Sequence, residues 1–476
     1  MRGPALPVYV TTSTHEAWTQ ANQAEYGADW ASFRWAEPAE LLAASAWRDE
    51  QLEWLARQAH LDCAETKPHV GPLAPGCAHC VAGGWSCLFV SGRCNGACFF
   101  CPAPQCSDDE PSTSAVGFPR ADDYLAYIEA TGVTGVGLSG GEPLLTPQRT
   151  LALAKAISSR AGPRLHLWLY TNGLLLTPEL AAQLRDAGVD EIRLDLAACD
   201  YDLQVLRTAR RFLPTVTIEI PAIPEHEPRL RQDMAAWRDE GLDFLNLHQL
   251  RCTPHNRRHL VARGYTFLPG PRVTVLESER CALRLLRHAA DRVPGLPVHY
   301  CSFPYKQRFQ ALAARRRTGR LVRQPWEEST EAGYLRTLSL LGPGPAMEAL
   351  AKRLSSLSSL EGAWSASPSE GRLHLSAHAL AAVDPAGLSL RASYVETVLR
   401  ESITYRHPFR ALKLDTGRTL WIERRRVARD LPAEVSNPCA AGAAWERLER
   451  GLLPYLGPSL MGLPGSCRRD GEAGEG

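Results

Sequence analysis

Cys94, Cys98 and Cys101 are spaced Cys-x3-Cys-x2-Cys in the run Cys94-Asn-Gly-Ala-Cys98-Phe-Phe-Cys101-Pro, just after the apolar stretch Trp85-Ser-Cys-Leu-Phe-Val. Three thiolates on one short loop can hold three irons of a four-iron cubane and leave the fourth open to a small molecule. Thiolates suit zinc as well as iron–sulfur clusters, so ligand type alone does not select the metal. Further on, Gly140-Gly141-Glu142-Pro143 follows the apolar run Val133–Leu138. It therefore stands at a strand end, where glycines let the backbone approach a ligand closely.

A second group lies upstream: Cys63, Cys77, Cys80 and Cys87, with Cys77-x2-Cys80 as a knuckle. Four thiolates suit a tetrahedral zinc or single iron, or an auxiliary iron–sulfur cluster; the alternative is four buried free thiols. Eight of the 14 cysteines fall between residues 63 and 106. Metal ligation explains such clustering better than disulfides do in a reducing compartment. Cys106, just beyond the loop, is a substitute ligand or a substrate-side thiol.

The cysteine loop together with Gly140–Pro143 resembles the radical S-adenosylmethionine (SAM) superfamily. The resemblance implies a [4Fe-4S] cluster on Cys94, Cys98 and Cys101, completed by SAM, which it cleaves to a 5′-deoxyadenosyl radical. It implies that Gly140, Gly141, Glu142, Asn172, Arg193 and Asp195 hold SAM, and that Phe99 and Phe100 shield the cluster. A flavodoxin or ferredoxin would supply the electron. The cysteine organisation over roughly 63–250 is also similar to the methanogen radical SAM methyltransferases that modify an arginine of methyl-coenzyme M reductase. No Asp-x-His-x-x-Gly cobalamin pattern accompanies it here.

These residues need elements to position them. Strand candidates are 85–91, 133–138, 165–170, 191–196, 215–220 and 244–249, separated by helical patterns such as Pro147–Arg160, Pro178–Ala187, Asp202–Phe212 and Arg229–Glu240. Six strands alternating with helices argue for a parallel α/β sheet. The pattern alone does not separate an open sheet from a barrel; the resemblance implies a (β/α)6 partial TIM barrel over 85–310. Each polar group named above then falls at a strand's C-terminal end, where such barrels keep their chemistry. Arg193 and Asp195 share one strand face, either to bind SAM or to pair with each other. The fifth-strand stretch Ile218–Glu225 has prolines where the superfamily commonly has glycine. His248, closing the sixth strand, is a substrate-facing group or a satisfied core histidine.

Around the barrel we expect a helical N-terminal segment (1–62) with Trp18, Trp30, Trp35, Trp47 and Trp54 as core anchors. A Cys-rich segment (63–92) leads into the first strand. A smaller α+β accessory domain (330–455) and a disordered tail (464–476) follow. Between barrel and accessory domain, Tyr300–Gln310 and Arg315, Arg316 and Arg317 mix aromatic and basic residues. They form a wall for an anionic or peptide substrate, or a solvated helix closing the barrel.

Composition sets the outer bounds. The chain has 476 residues, 45% apolar and 22% charged, with a net charge of +1. That is ordinary for a globular protein, and bulk electrostatics give no reason to expect nucleic-acid binding. No run is long and apolar enough to span a membrane, and the N-terminus lacks a signal-peptide core, so the expected location is the cytoplasm. The expected function is radical SAM modification of a protein or peptide. Modification of RNA or a small metabolite is the enzyme alternative, and a non-catalytic metal or electron-transfer protein the alternative of another class.

Overall fold

The computed structural model describes residues 12–107, 109–161, 165–367 and 371–432. The expected tail 464–476 and the end of the 330–455 region lie outside them. At the centre is a sheet whose parallel strands we number β1 (Trp85–Ser91), β2 (Gly135–Gly140), β3 (His166–Thr171), β4 (Glu191–Leu194), β5 (Thr215–Pro221), β6 (Phe244–His248) and β7 (Val298–Cys301). They are hydrogen-bonded in that order. Short antiparallel strands extend both edges, with Lys67–Val70 beside β7 and Ser112–Thr113 beside β1. Six of the seven match the sequence-based strands closely. The seventh, β7, is added by the structure; four residues reading Val-His-Tyr-Cys carry no clean alternation.

Period-two geometry explains how one strand serves two masters. Val136, Leu138, Leu167, Leu169, Ile192, Leu194, Val216, Ile218 and Leu245 are all buried in the main core cluster. They pack beneath helices such as Pro147–Ala161, Pro178–Asp186 and Leu203–Phe212. Each such side chain contributes roughly 1.5–3 kcal/mol when removed from water. The intervening positions turn inward: Trp168, Tyr170, Glu191, Arg193, Glu219, Asn246 and His248. The helix starts are sharpened by capping, as where Thr177 Oγ1 accepts from Leu180 N at 3.2 Å ahead of Pro178.

Two β2 glycines create space inside. A Cβ at Gly137 would lie 2.7 Å from Trp168 Nε1, and one at Gly135 would lie 2.8 Å from His79 Cβ. The indole of Trp168, 1% exposed, fills that space. Helix Pro75–Val81 lies against it, with Gly76 N donating to Glu191 Oε2 at 2.9 Å. Glu191 also accepts from His166 Nε2 at 2.9 Å, Arg193 Nε at 2.7 Å and Thr217 Oγ1 at 2.9 Å. Burial opposes its charge, but Arg193 and these bonds win and hold its carboxyl down to about 2.

Helix Ala311–Val322 borders β1, and here the basic run is structural. Arg317 donates to Trp85 O at 2.9 Å, Arg315 to Ala332 O at 2.8 Å and Arg316 to Glu331 O at 3.0 Å. Thr318 Oγ1 meets Thr397 Oγ1 at 2.6 Å, joining this helix to a sheet-rich C-terminal region. That region is an antiparallel sheet between Glu328 and Pro432, with its own apolar core against helix Gly344–Ser355. At the other end, helices Thr12–Tyr26 and Pro38–Leu55 flank a short strand, Arg34–Trp35, paired with Thr266–Leu268. Trp30, Phe33 and Trp35 stack there beside Phe267.

Candidate active site

The C-terminal ends of the parallel strands surround a cavity of about 460 Å³. Cys94, Cys98 and Cys101 line one wall of it, with Gly140 and Gly141 beside them. Close approach dictates those glycines: Gly140 has φ +137°, and a Cβ at Gly141 would lie 2.1 Å from Arg93 O. The backbone closes the same contact, Glu142 N donating to Arg93 O at 2.7 Å and Gly141 N to Ser91 O at 2.8 Å. The glycine turn therefore cradles the start of the cysteine loop.

Other strand ends hold the rest of the loop. Asn172 Nδ2, after β3, donates to Asn95 Oδ1 at 2.8 Å and lies 3.8 Å from Cys94 Sγ. After β6, Asn256 Nδ2 donates to Phe100 O and Thr253 Oγ1 to Pro102 O, both at 2.9 Å. The Arg263 guanidinium sits 3.4 Å from the Phe99 ring centroid, so Phe99 is covered while Phe100 lines the cavity. This clamp was not foreseen; its signal was the polar run Thr253-Pro-His-Asn256 directly following the sixth strand.

The donor set fits an iron–sulfur cluster. A Cβ on Gly96 would lie 3.5 Å from Cys98 Sγ and 3.6 Å from Cys94 Sγ, so both sulfurs flank a residue with no side chain. N–H donors already face two sulfurs: Gly96 N to Cys94 at 3.3 Å and Gln105 Nε2 to Cys101 at 3.0 Å. Burial, with the nearby Asp195 charge, pushes the Cys98 thiol up to about 12. Metal ligation would release that proton.

The SAM-holding candidates divide. Gly140, Gly141, Asn172, Arg193 and Asp195 line the cavity; Glu142 does not. Glu142 is fully buried, and its carboxylate accepts from Asn172 N at 2.7 Å, Thr171 Oγ1 at 2.8 Å and Leu144 N at 2.9 Å. In this structure it fastens the β2 turn to the β3 turn. Arg193 does not pair with Asp195, as one reading of their shared face had it; it bridges Glu191 and Glu219, each at 2.7 Å. Asp195 Oδ1 is consequently buried with no hydrogen-bond partner. Burial raises its carboxyl to about 7, against the nearby His248.

His248 faces the cavity and joins Glu219, Nε2 to Oε1 at 2.6 Å, while Lys306 Nζ lies 3.2 Å from its Nδ1. Opposite His248 in register is Cys301 on β7. Burial alone would raise this thiol, but Lys67, Lys306 and His248 bring it down to about 6. Neither Cys301 nor the buried Lys67 was singled out from the sequence, since a lone cysteine and a lone lysine carry no spacing signal.

The upstream cysteines are spread over adjoining niches. Cys77 lies 3.4 Å from Asn246 Nδ2 and 3.8 Å from His299 Nε2. Cys80 receives Gln310 Nε2 at 3.0 Å and faces Tyr305 OH at 3.1 Å. Cys80 and Cys87 line one groove of about 190 Å³. Cys63 sits at φ 52° in a tight turn, with Lys67 and Cys80 among the charges that act on it. Cys106 is exposed.

Comparisons with known proteins bear on this arrangement. Residues 88–220 match the profile of the Radical SAM superfamily. A protein of Methanocaldococcus jannaschii, named as a candidate glycyl-radical enzyme activating enzyme, is 28% identical over 277 residues, covering 55% of this chain and 72% of its own length. The GTP 3′,8-cyclase of Synechococcus sp. strain CC9902 is 38% identical over 116 residues, 24% of this chain. The chain spans only 32% of that cyclase's length. Among solved structures, the radical SAM methyltransferase TsrM from Kitasatospora setae aligns with a TM-score of 0.28 at 18% identity, over 37% of this chain and 39% of its own.

Proposed function

We propose that this chain, whose residues 88–220 match the Radical SAM superfamily, works as a radical SAM enzyme and abstracts hydrogen from a protein or peptide. SAM cleavage at an iron–sulfur cluster is the superfamily's chemistry; the choice of substrate is our reading. The observation that carries it is the single cavity shared by Cys94, Cys98, Cys101, the Gly140–Gly141 turn and Asp195. When bound, the cluster supplies the electron that splits SAM into methionine and a 5′-deoxyadenosyl radical.

The chain's residues position and shelter that event. Asn172 and Asn256 hold the two halves of the cysteine loop against separate strand ends. Gly140 and Gly141 line the cavity beside the cysteine loop, where the SAM amino acid moiety would lie, and Asp195 offers a buried oxygen without a partner. Phe100 on the cavity wall and Phe99 beneath Arg263 keep water from the loop. Fixed groups of this kind need no reorganisation when charge shifts.

A protein substrate is favoured by the similarity to the M. jannaschii protein, which extends over 55% of the chain. The reaction would then be glycyl-radical formation or another modification such as methylation, with a ferredoxin or flavodoxin as electron donor. A small-metabolite substrate is supported by the cyclase similarity, confined to 24% of the chain. No helix among the described residues is long and apolar enough to cross a membrane, and we propose a cytoplasmic site of action. We also propose Cys63, Cys77, Cys80 and Cys87 as candidate ligands of an auxiliary zinc, iron or cluster, the groove shared by Cys80 and Cys87 being its support.

The test is anaerobic reconstitution with iron and sulfide, reduction with dithionite in the presence of SAM, and assay of 5′-deoxyadenosine. Product from the native chain and none from Cys98→Ala supports the radical reading. No product from a fully loaded cluster, with or without candidate peptides, overturns it. Metal analysis of a Cys80→Ser/Cys87→Ser variant tests the auxiliary site: unchanged metal content removes those two ligands.

A further inference from the structure

The reaction cavity carries a charge imbalance. Its wall includes two carboxylates, Asp195 and Glu219, and the cations Arg193, Arg251 and Lys306. Glu219 is taken up by Arg193 at 2.7 Å and His248 at 2.6 Å, and Arg193 is further held by Glu191. Among the described residues, neither Arg251 nor Lys306 has a carboxylate within ion-pair distance; Lys306 meets His248 Nδ1 and acts on the buried Cys301 thiol, while Arg251 has no such neighbour in the cavity wall. Arg251 Nε is buried with no hydrogen-bond partner at all. Keeping a cation half-buried and unpaired costs free energy unless something arrives to pair with it.

Both cations are placed by the fold. Arg251 follows β6 and is anchored by a backbone bridge to Thr274. Continuing the helical turn Phe303–Tyr305 that follows β7, Lys306 opens a π-helical turn, Lys306–Gln310. Such turns are rare and concentrate at functional sites. This one is pinned from outside the cavity: Ser302 Oγ donates to Thr66 O at 2.6 Å and accepts from Tyr305 N at 3.2 Å. At its far end Gln310 donates to Cys80 Sγ at 3.0 Å. With His248 Nε2 donating to Glu219, Nδ1 is left to accept one Lys306 proton, which leaves the ammonium two further donors.

We propose that Arg251 and Lys306 form an anion subsite that binds a carboxylate or phosphate group on the substrate. The inference rests on the radical SAM reading of the cavity and adds a substrate chemistry to it. The guanidinium fork of Arg251 suits the paired oxygens of either group. Lys306 supplies a point charge on the strand end next to it. The remaining SAM-directed groups, Gly140, Asn172 and Asp195, come from β2, β3 and β4, so the two sets of contacts belong to different strand ends.

The experiment is calorimetric titration of the reconstituted holoenzyme, saturated with SAM, against inorganic phosphate and separately against acetate at constant ionic strength, with chloride as control. We expect one of the two anions to bind without displacing SAM. Arg251→Gln and Lys306→Met should each weaken it at least about tenfold, as loss of a charge-assisted partner does, with Arg251→Lys weakening it less. Preference for phosphate assigns a phosphorylated small substrate; preference for acetate assigns a carboxylate such as a peptide provides. Iron content and far-ultraviolet circular dichroism establish that each variant is folded and loaded, and the graded response of Arg251→Lys keeps the test open should one variant fail. Binding of neither anion, undiminished binding in the double variant, or displacement of SAM overturns the subsite. SAM cleavage by the same native preparation is scored separately, so a failed subsite and a failed radical reading are told apart.

Discussion

The backbone amide of Asn172 donates to Glu142 Oε2 at 2.7 Å, tying the turn after β2 to the turn after β3. Through its own side chain Asn172 then reaches Asn95 in the cysteine loop. Three loops that meet at the cavity are thus locked by one buried carboxylate. Glu142→Gln replaces an acceptor-only group with one that must place an N–H among three donors. We expect a loss of about 1–3 kcal/mol, read by urea unfolding, and a lower iron content after reconstitution.

Gly141→Ala drives a methyl group into the backbone carbonyl oxygen of Arg93, at the root of the cysteine loop. No rotamer relieves such a clash. The expected result is normal far-ultraviolet circular dichroism with at least half of the cluster absorbance lost; full cluster loading would show that the close approach is not needed.

Arg193→Met leaves Glu191 and Glu219 facing each other without their shared cation. Removing one partner of a buried ion network costs about 3–5 kcal/mol. Arg193→Lys should recover only part of this, since an ammonium cannot bridge both carboxylates and Tyr170 in one plane. Chemical denaturation of the three proteins measures the ranking.

Asp195 gives stability an unusual pH dependence. Its carboxyl is raised to about 7 in the folded protein, against about 3.9 in an unfolded chain. Between those values the folded state binds the extra proton, so stability falls as pH rises through the window and levels off above it. Glu191 acts oppositely but at lower pH, because its folded value lies near 2. Cys301, held near 6 when folded, acts in the opposite sense above pH 6, so the signature is a difference. Between pH 5 and pH 8, denaturation of the metal-free protein should show Asp195→Asn losing less stability, or gaining more, than the native chain. An unchanged slope in the variant would take Asp195 out of this dependence.

The parts of this fold that were legible in the sequence are those governed by repetition. Six strands and the helices between them announce themselves through alternation of apolar residues, and the three-cysteine loop through spacing. β7 stayed hidden because His299 and Cys301 occupy inward positions that an apolar pattern cannot flag. The partners of Arg193 were hidden for a different reason: Glu219 lies 26 residues away in the chain, and only the pairing of β5 beside β4, with Thr217 opposite Arg193, brings it within reach. The basic run at 315–317 shows the converse. Its composition left a substrate wall and a solvated helix both open; its arginines bind backbone carbonyls, and within the stretch 300–317 the cation that lines the cavity is Lys306.

Trp168, seated in the space left by two glycines, and the helix Pro75–Val81 beneath it plug the N-terminal end of the strands. That end of the strands is therefore closed, and the cavity lies at the opposite, C-terminal ends. On the radical SAM reading, spent methionine and 5′-deoxyadenosine would leave from the side by which SAM entered, so product clearance would precede the seating of the next SAM.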